Sequence, residues 1–585
     1  MRLDLQRIPR NIIYLVLIVC LAVPFFVKWS LPVYVSNATR CLYKAVEQVH
    51  AEKPNVPIVL LSSWDPSSRG ENRPQMVAIV RHLLILKQPF VVFCPALNPM
   101  APRASEEVIN SEIARGNYSL TYGVDYANLG FKGISGPNIG PILQNLEGDF
   151  LGCVAQDLYG TSAYSLPILK GFTSLANASM IITISGDVES EHVIGIFSPR
   201  HPEIPVGAAG WSLICTRLYP YFDTRQLVGI LDGMNGASEY LTLLKENYPE
   251  LAGDDMGAEE SESGGSSTRV NALTLARVLI ILLIALGNIG MLLERRREKL
   301  GLPVHKTAPS ASVGEKRYLN IGALVFTILF IFALLGEFFL RSKAGTWSVA
   351  VFGEWVAVFC TIGMLSFIFG DNKLYRTLEH VIIGSSAAYM LFEVIDKQIL
   401  PSFVYKVMDG FAALRGAESA QGNAWQLLLL LGLIPSALWF TVYIKKFAWT
   451  NKLVLGLLMG VAVGIAFGQN VNLAIPQIAG AVKPLLTFGP VNVPHISLFG
   501  DVSITWKNVF NLVYLVTMVL VMIYFVFCLK MKTTVAKGAV RSGRIIMMIA
   551  FGAVFGNTIA TRMSWLIDRI DAIALWIKEL MILGG

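Results

Sequence analysis

VNALTLARVLIILLIALGNIGMLL, residues 270–293, is entered from an acidic Ser/Gly-rich segment and runs straight into ERRREK, 294–299. At ~1.5 Å rise per residue such a run crosses a ~30 Å hydrocarbon core, and the cluster Arg295, Arg296, Arg297 and Lys299 belongs on the cytoplasmic side. The chain before this run, back to the first hydrophobic segment, therefore lies outside the cytoplasm, and most of the chain after it is membrane. The composition agrees. Of 585 residues 54% are hydrophobic and only 15% charged, the balance of a polytopic membrane protein rather than of several soluble domains. The net charge of +7 sits largely in short loops between apolar runs, where orientation needs it, so no nucleic-acid partner is expected.

Outward from that helix, the chain divides into five parts. Residues 1–32 carry Arg2, Arg7 and Arg10 ahead of NIIYLVLIVCLAVPFFV; Lys28, Trp29 and Pro32 stand where a small-x-small cleavage site would be, which reads as an uncleaved anchor running from cytoplasm to outside. Residues 33–249 have the texture of an α/β domain. Apolar runs at 57–63, 90–96, 180–186 and 204–210 alternate with helical patterns at 74–87, 105–116, 191–197 and 237–248. That alternation predicts crossover connections and a doubly wound, mostly parallel sheet whose strands are buried on both faces. Residues 250–268 are an acidic Gly/Ser linker unable to bury enough surface to fold. Residues 269–566 form an all-α transmembrane bundle, with further apolar runs at 318–340, 348–370, 380–400, 425–444, 453–470, 508–529 and 545–566. Threaded alternately, about nine spans put Lys373, Arg376, Lys445, Lys446, Lys530 and Arg541 inside, the N-terminus inside and 33–268 outside. The segment 567–585 is amphipathic and either lies along the outer interface or extends the last helix.

Candidate functional residues fall in three groups. Asp65, Ser67 and Ser68 come after the first strand and Asp187 after a later one, at the strand carboxyl ends where doubly wound sheets take ligands. No dinucleotide fingerprint, P-loop or nucleophile elbow accompanies them, so no catalytic residue is assigned and no cofactor is expected. If the domain were an enzyme, Asp65 and Asp187 would be its acid/base pair. Glu191, His192 and His201 near Asp187 match no zinc spacing, and no metal site is expected. The second group, Glu337, Glu354, His380, Glu393 and Arg562, lies in or near apolar spans, where ionised side chains face a bundle interior, a wet cavity or a partner. The third is glycine: Gly456, Gly460, Gly464 and Gly468 recur four apart along one helix face, and Gly552 and Gly556 repeat the device. Such a face admits close backbone approach, expected mainly from a helix of the same chain, with another subunit the alternative. Four of the seven cysteines fall in the outer domain without C-x-x-C spacing, which is compatible with one or two disulfides or with isolated thiols.

The segments QLVGILDGMNGASEY (226–240), LYRTLEHVIIGSSAAY (374–389) and FGNTIATRMSWLI (555–567) resemble uncharacterised bacterial envelope proteins. The resemblance implies a bacterial inner-membrane setting and attaches no activity to any residue. The expected role is that of a membrane subunit in an envelope complex, in contact with lipid and with other subunits or further copies of itself. A solute or ion transporter with an outer capture domain is the alternative, and an envelope enzyme the third.

Overall fold

The computed structural model describes residues 10–27, 32–64, 68–95, 100–131, 140–186, 189–249, 266–299, 349–369, 372–415, 424–488, 495–499, 502–525 and 533–584. Helix α1 (Arg10–Phe26) leads into an outer domain built of α2 (Asn37–Glu52), β1 (Ile58–Ser62), α3 (Arg69–Leu86), β2 (Phe90–Cys94), α4 (Ala101–Gly116), β3 (Tyr126–Phe131), α5 (Gly140–Gly148), α6 (Phe150–Val154), β4 (Ile181–Ser185), α7 (Glu189–His192), β5 (Val206–Gly210), α8 (Ser212–Asp223), β6 (Gly229–Asp232) and α9 (Gly233–Asn247). All six strands are parallel, in the order β3-β2-β1-β4-β5-β6. Val59 thus stands between Val91 on one side and Ile181 on the other.

The strands were expected to be apolar throughout, and the period-2 geometry of a strand explains why they must be. Val59, Leu61, Val91, Phe93 and Ile181 point into a core shared with Phe150, Phe197 and Leu218. Ile58, Leu60, Phe90, Val92 and Ile182 point into a second core with Met76, Val108 and Tyr240. Two strands escape the sequence pattern. β3 carries Asn128 and a Gly130 at φ +74° beside a shift of register, and β6 is only four residues long.

The membrane part comprises α10 (Ser266–Lys299), α11 (Val349–Leu365), α12 (Lys373–Glu393), α13 (Lys406–Leu414), α14 (Leu433–Trp439), α15 (Ala448–Ala481), α16 (Trp506–Phe525) and α17 (Thr534–Gly584). A small antiparallel sheet, β7 (Thr487–Phe488), β8 (His495–Phe499) and β9 (Val502–Thr505), precedes α16. Among the described residues, four helical stretches are long and apolar enough to cross a membrane: Thr268–Leu292, Trp425–Tyr443, Asn508–Phe525 and Thr534–Lys578. Shorter apolar helices cover Ile12–Phe25, Val351–Leu365 and Ala448–Gly464. The expected span 318–340, with Glu337, and the linker at 251–265 lie outside the described residues.

Three helices gather beneath the outer domain as a stem. Leu21 and Phe25 of α1, Ala272, Leu273 and Ala276 of α10, and Ala560, Ile567, Ile570 and Ala574 of α17 form one buried cluster. Small residues on α10 and α17 let the three backbones close in. Arg269 of α10 binds Asp571 of α17 and lies 3.8 Å from Asp568. At ~1.5 Å per residue the apolar stretch of α17 is roughly twice as long as a ~30 Å bilayer core is thick. The C-terminal segment accordingly continues the last helix as a post against the outer domain. On α10 the switch from packed to exposed apolar residues begins at Val278.

Candidate functional site

Chain order reverses between β1 and β4, the switch point beside which ligands bind in open α/β sheets. Ser68, expected there, is buried at the N-cap of α3 and makes no side-chain cap. Asp65, Ser67 and Asp187 lie outside the described residues. What the structure places along this carboxyl edge, and residue spacing did not announce, is the outer half of α17.

The contact starts at the first turn of α3. A Cβ on Gly70 would stand 3.0 Å from the Ser564 carbonyl oxygen, so glycine lets α17 approach. Trp211, the first residue after β5, meets Trp565 of α17 edge to face, with ring centroids 5.2 Å apart. The Arg562 guanidinium lies 4.5 Å over the Trp565 ring. Arg562 therefore belongs to the junction between domain and stem. Behind it, Trp211 Nε1 donates to Asn72 Oδ1 at 2.7 Å and Asn72 Nδ2 to Gln75 Oε1 at 3.0 Å. Gln75 Nε2 is in turn shared among the carbonyls of Gly210, Leu231 and Gly233 at 2.9–3.1 Å. A chain of side-chain contacts thus links the membrane helix to the ends of β5 and β6.

Two buried acids sit inside this junction. Glu71 is fully buried; its Oε2 accepts from the Ser212 backbone N–H at 2.9 Å, at the start of α8, and its Oε1 has no hydrogen-bond partner. Burial pushes its carboxyl up to about 7, opposed by the Ser212 N–H, the Ser564 hydroxyl and Arg277, with the Asp232 charge adding to the rise. Asp232, at the end of β6, accepts from the Tyr219 hydroxyl at 3.3 Å through Oδ2, while Oδ1 is buried without a partner. Burial raises its carboxyl too, against the pull of Ser212, Tyr219 and Arg277. Arg277 enters from α10. With the Asn235 amide turned so that its oxygen faces α10, that oxygen accepts from Arg277 Nη1 at 2.7 Å and Nη2 at 3.3 Å. Two buried acids of the α/β domain and Arg277 of α10 are therefore electrostatically coupled across the junction.

The junction carries no evident nucleophile. Cys215 is fully buried and burial raises its thiol well above the usual range, so it is unreactive. All cysteines among the described residues are unpaired thiols. Glu191 receives Arg217 Nη2 at 3.0 Å, whereas His201 Nε2 lies 2.8 Å from Glu147; the two do not share a site.

Of the acids read in the spans, Glu354 lies on α11 and Glu393 ends α12, with their side chains outside what is described. His380 is exposed on α12. Among the described residues nothing covers the glycine face of α15. No described atom comes within 4 Å of a Cβ built on Gly456, Gly460, Gly464 or Gly468, nor on Gly552 or Gly556 of α17. Among the described elements α15 packs with α14 and with α8.

No family model matches the chain, and none of the solved structures does. Two curated plant proteins are similar to part of it. These are the probable aquaporins TIP-type RB7-18C and RB7-5A of Nicotiana tabacum, each 26% identical over 213 residues, which cover 34% of this chain and 82% of the relative.

Proposed function

We propose that the chain is an integral membrane subunit of a bacterial envelope complex. It holds an extracytoplasmic α/β domain rigidly on a three-helix stem and offers its remaining helices to other subunits or to further copies of itself. The observation that carries this reading is the uncovered packing surface. At most 11% of the apolar window of any candidate span is buried within the chain, and the glycine face of α15 has no described neighbour. Glycines four apart gain nothing from lipid, because their use is to let another backbone come close. The positive-inside asymmetry supports a cytoplasmic N-terminus, an outer location for 33–268 and about nine spans. The bacterial inner membrane rests on the resemblance of the three quoted segments.

The test is Gly460→Leu combined with Gly464→Leu. A Cβ at either position meets no described atom within 4 Å, so the variant is expected to fold and insert. It is also expected to lose the subunits that co-purify with the wild-type protein; full retention of those subunits would remove the support of the glycine face.

A second reading, a channel or transporter with an outer capture domain, is favoured by the likeness to proteins named as probable aquaporins. It predicts osmotic water or solute flux in proteoliposomes above that of empty vesicles, and loss of that flux in Glu354→Gln. Flux at the empty-vesicle level would dismiss it.

A further inference from the structure

Where α9 packs on α10, a cleft of about 340 Å³ is lined by Tyr34, Asn235, Glu239, Asn271, Thr274 and Arg277. Asn271, Thr274 and Arg277 follow one another at helical spacing, so a single face of α10 forms one wall. The other face packs into the stem, where Ala272, Leu273 and Ala276 are buried. One turn further along, the face that lines the cleft continues as Val278 and Ile281, 55% and 66% exposed among the described residues. Polar lining thus gives way within about one 5.4 Å turn to apolar surface of the kind that hydrocarbon covers. Tyr34 is 88% exposed, and an amphipathic ring so placed belongs at the boundary between headgroups and water.

The lining carries both signs of charge, and among the described residues no ion pair joins Glu239 to Arg277. Glu239 Oε2 accepts from the Ser36 backbone N–H at 3.0 Å and from the Thr39 hydroxyl at 2.8 Å, which fixes the carboxylate; Oε1 receives no described donor. Arg277 directs Nη1 and Nη2 to the turned amide of Asn235, and a guanidinium with five N–H groups has donors to add. Arg277 is also within electrostatic reach of Glu71 and Asp232, so acids outnumber it here among the described residues. That balance works against a purely anionic guest, and the guanidinium works against a purely cationic one. A guest bearing an ammonium and a phosphate satisfies both, and Oε1, an acceptor, favours a primary ammonium that can donate. The volume is near the lower end of the roughly 300–1,000 Å³ of ligand pockets, enough for a headgroup whose tails lie elsewhere. We infer that the cleft holds the phosphoethanolamine headgroup of a zwitterionic phospholipid, its phosphate on Arg277, its ammonium on Glu239 and its acyl chains along Val278 and Ile281. This inference rests on the chain being embedded in a membrane and is independent of the assembly reading.

The full chain, purified in dodecyl maltoside, is titrated calorimetrically with dioctanoyl phosphatidylethanolamine, dioctanoyl phosphatidylglycerol and free phosphoethanolamine, each corrected against protein-free micelles. The expected result is saturable binding of the ethanolamine lipid, about tenfold or more tighter than either other probe. Glu239→Gln keeps an oxygen for Ser36 and Thr39 but removes the charge, and should bring the ethanolamine lipid down to the level of the glycerol lipid. Thr274→Phe fills the cleft at a residue whose hydroxyl donates to the Val270 carbonyl of its own helix at 2.8 Å. It should abolish saturable binding and leave the melting temperature unchanged. Absence of saturable lipid binding overturns the site, as does an ethanolamine lipid held no tighter than the glycerol lipid, or a preference that both variants leave intact while the fold holds. Free phosphoethanolamine binding as tightly as the lipid overturns the lipid assignment and identifies a soluble zwitterion instead.

Discussion

Replacing Glu71 by Gln keeps the shape and the oxygen that receives the Ser212 N–H but removes the titrating proton. In the folded protein the carboxyl stands at about 7, against an ordinary value of 4.5. Between those two values the folded state binds more protons than the unfolded one, so stability falls as pH rises through the window, and the full loss is present above pH 7. At 1.36 kcal/mol per pKa unit the difference amounts to about 3 kcal/mol at pH 8 and less than about 1 kcal/mol at pH 5. The groups facing Glu71 set this balance. Asp232 lies at the end of β6, Arg277 on α10 and the Ser212 N–H at the start of α8, while Asp568 of α17, near Gly70, lies 3.8 Å from Arg269. Other carboxylates titrate in the same range, so the informative quantity is variant minus wild type. For a domain of about 200 residues, roughly 3 kcal/mol corresponds to about 6–12 °C in melting temperature. Near-ultraviolet circular dichroism of the detergent-purified full chain should show Glu71→Gln melting higher than wild type by that margin at pH 8 and by little at pH 5. An equal difference at both pH values, or a variant less stable at pH 8, would refute the reading of Glu71 as a buried acid poised near neutrality.

The junction and the stem lead to three other expected outcomes. Asp571→Ala leaves Arg269 without its closest partner in a buried position and should cost about 3–5 kcal/mol, seen as early loss of the stem in thermal melts, whereas replacing both residues by apolar ones of similar volume should recover most of it. Trp565→Ala removes the edge-to-face contact with Trp211 and the platform under Arg562, about 1–3 kcal/mol together, and hydrogen exchange should rise around residues 209–213 while the core around Tyr240 stays protected. Gly70→Val should cost about 1–3 kcal/mol by pushing its Cβ against the Ser564 carbonyl, measured as increased tryptic cleavage at Arg562 and Arg569 of α17.

The parallel sheet and the apolar helix at 270–293 were legible because their signals are local. The apolar run at 270–293 and its basic flank announce a membrane helix, and the alternation of apolar runs with helical periods announces a parallel sheet. β3 and β6 were illegible for equally local reasons: YANLGF interrupts its apolar pattern with Asn128 and Gly130, and GILD is too short to show a period. The site was another matter. Glu71 and Arg277 lie far apart in sequence, and nothing near either names the other. Arg562 reads as an intramembrane charge until α17 is seen to run on beyond the thickness of a bilayer core, bringing this arginine level with Trp211. Gly70 looks like any glycine in a loop-to-helix transition; only the approach of Ser564 gives it a reason. The glycine face at 456–468 is plain in the sequence, but no described residue of the chain covers it.

The state of assembly tests the account most directly. The tagged protein, extracted from its native membrane in mild detergent, should run as a particle well above the 64.2 kDa of one chain, with copies or other subunits in fixed ratio, and should fall to a single chain in the Gly460→Leu, Gly464→Leu variant. A homogeneous 64.2 kDa wild-type protein with nothing bound in fixed ratio would contradict the assembly reading.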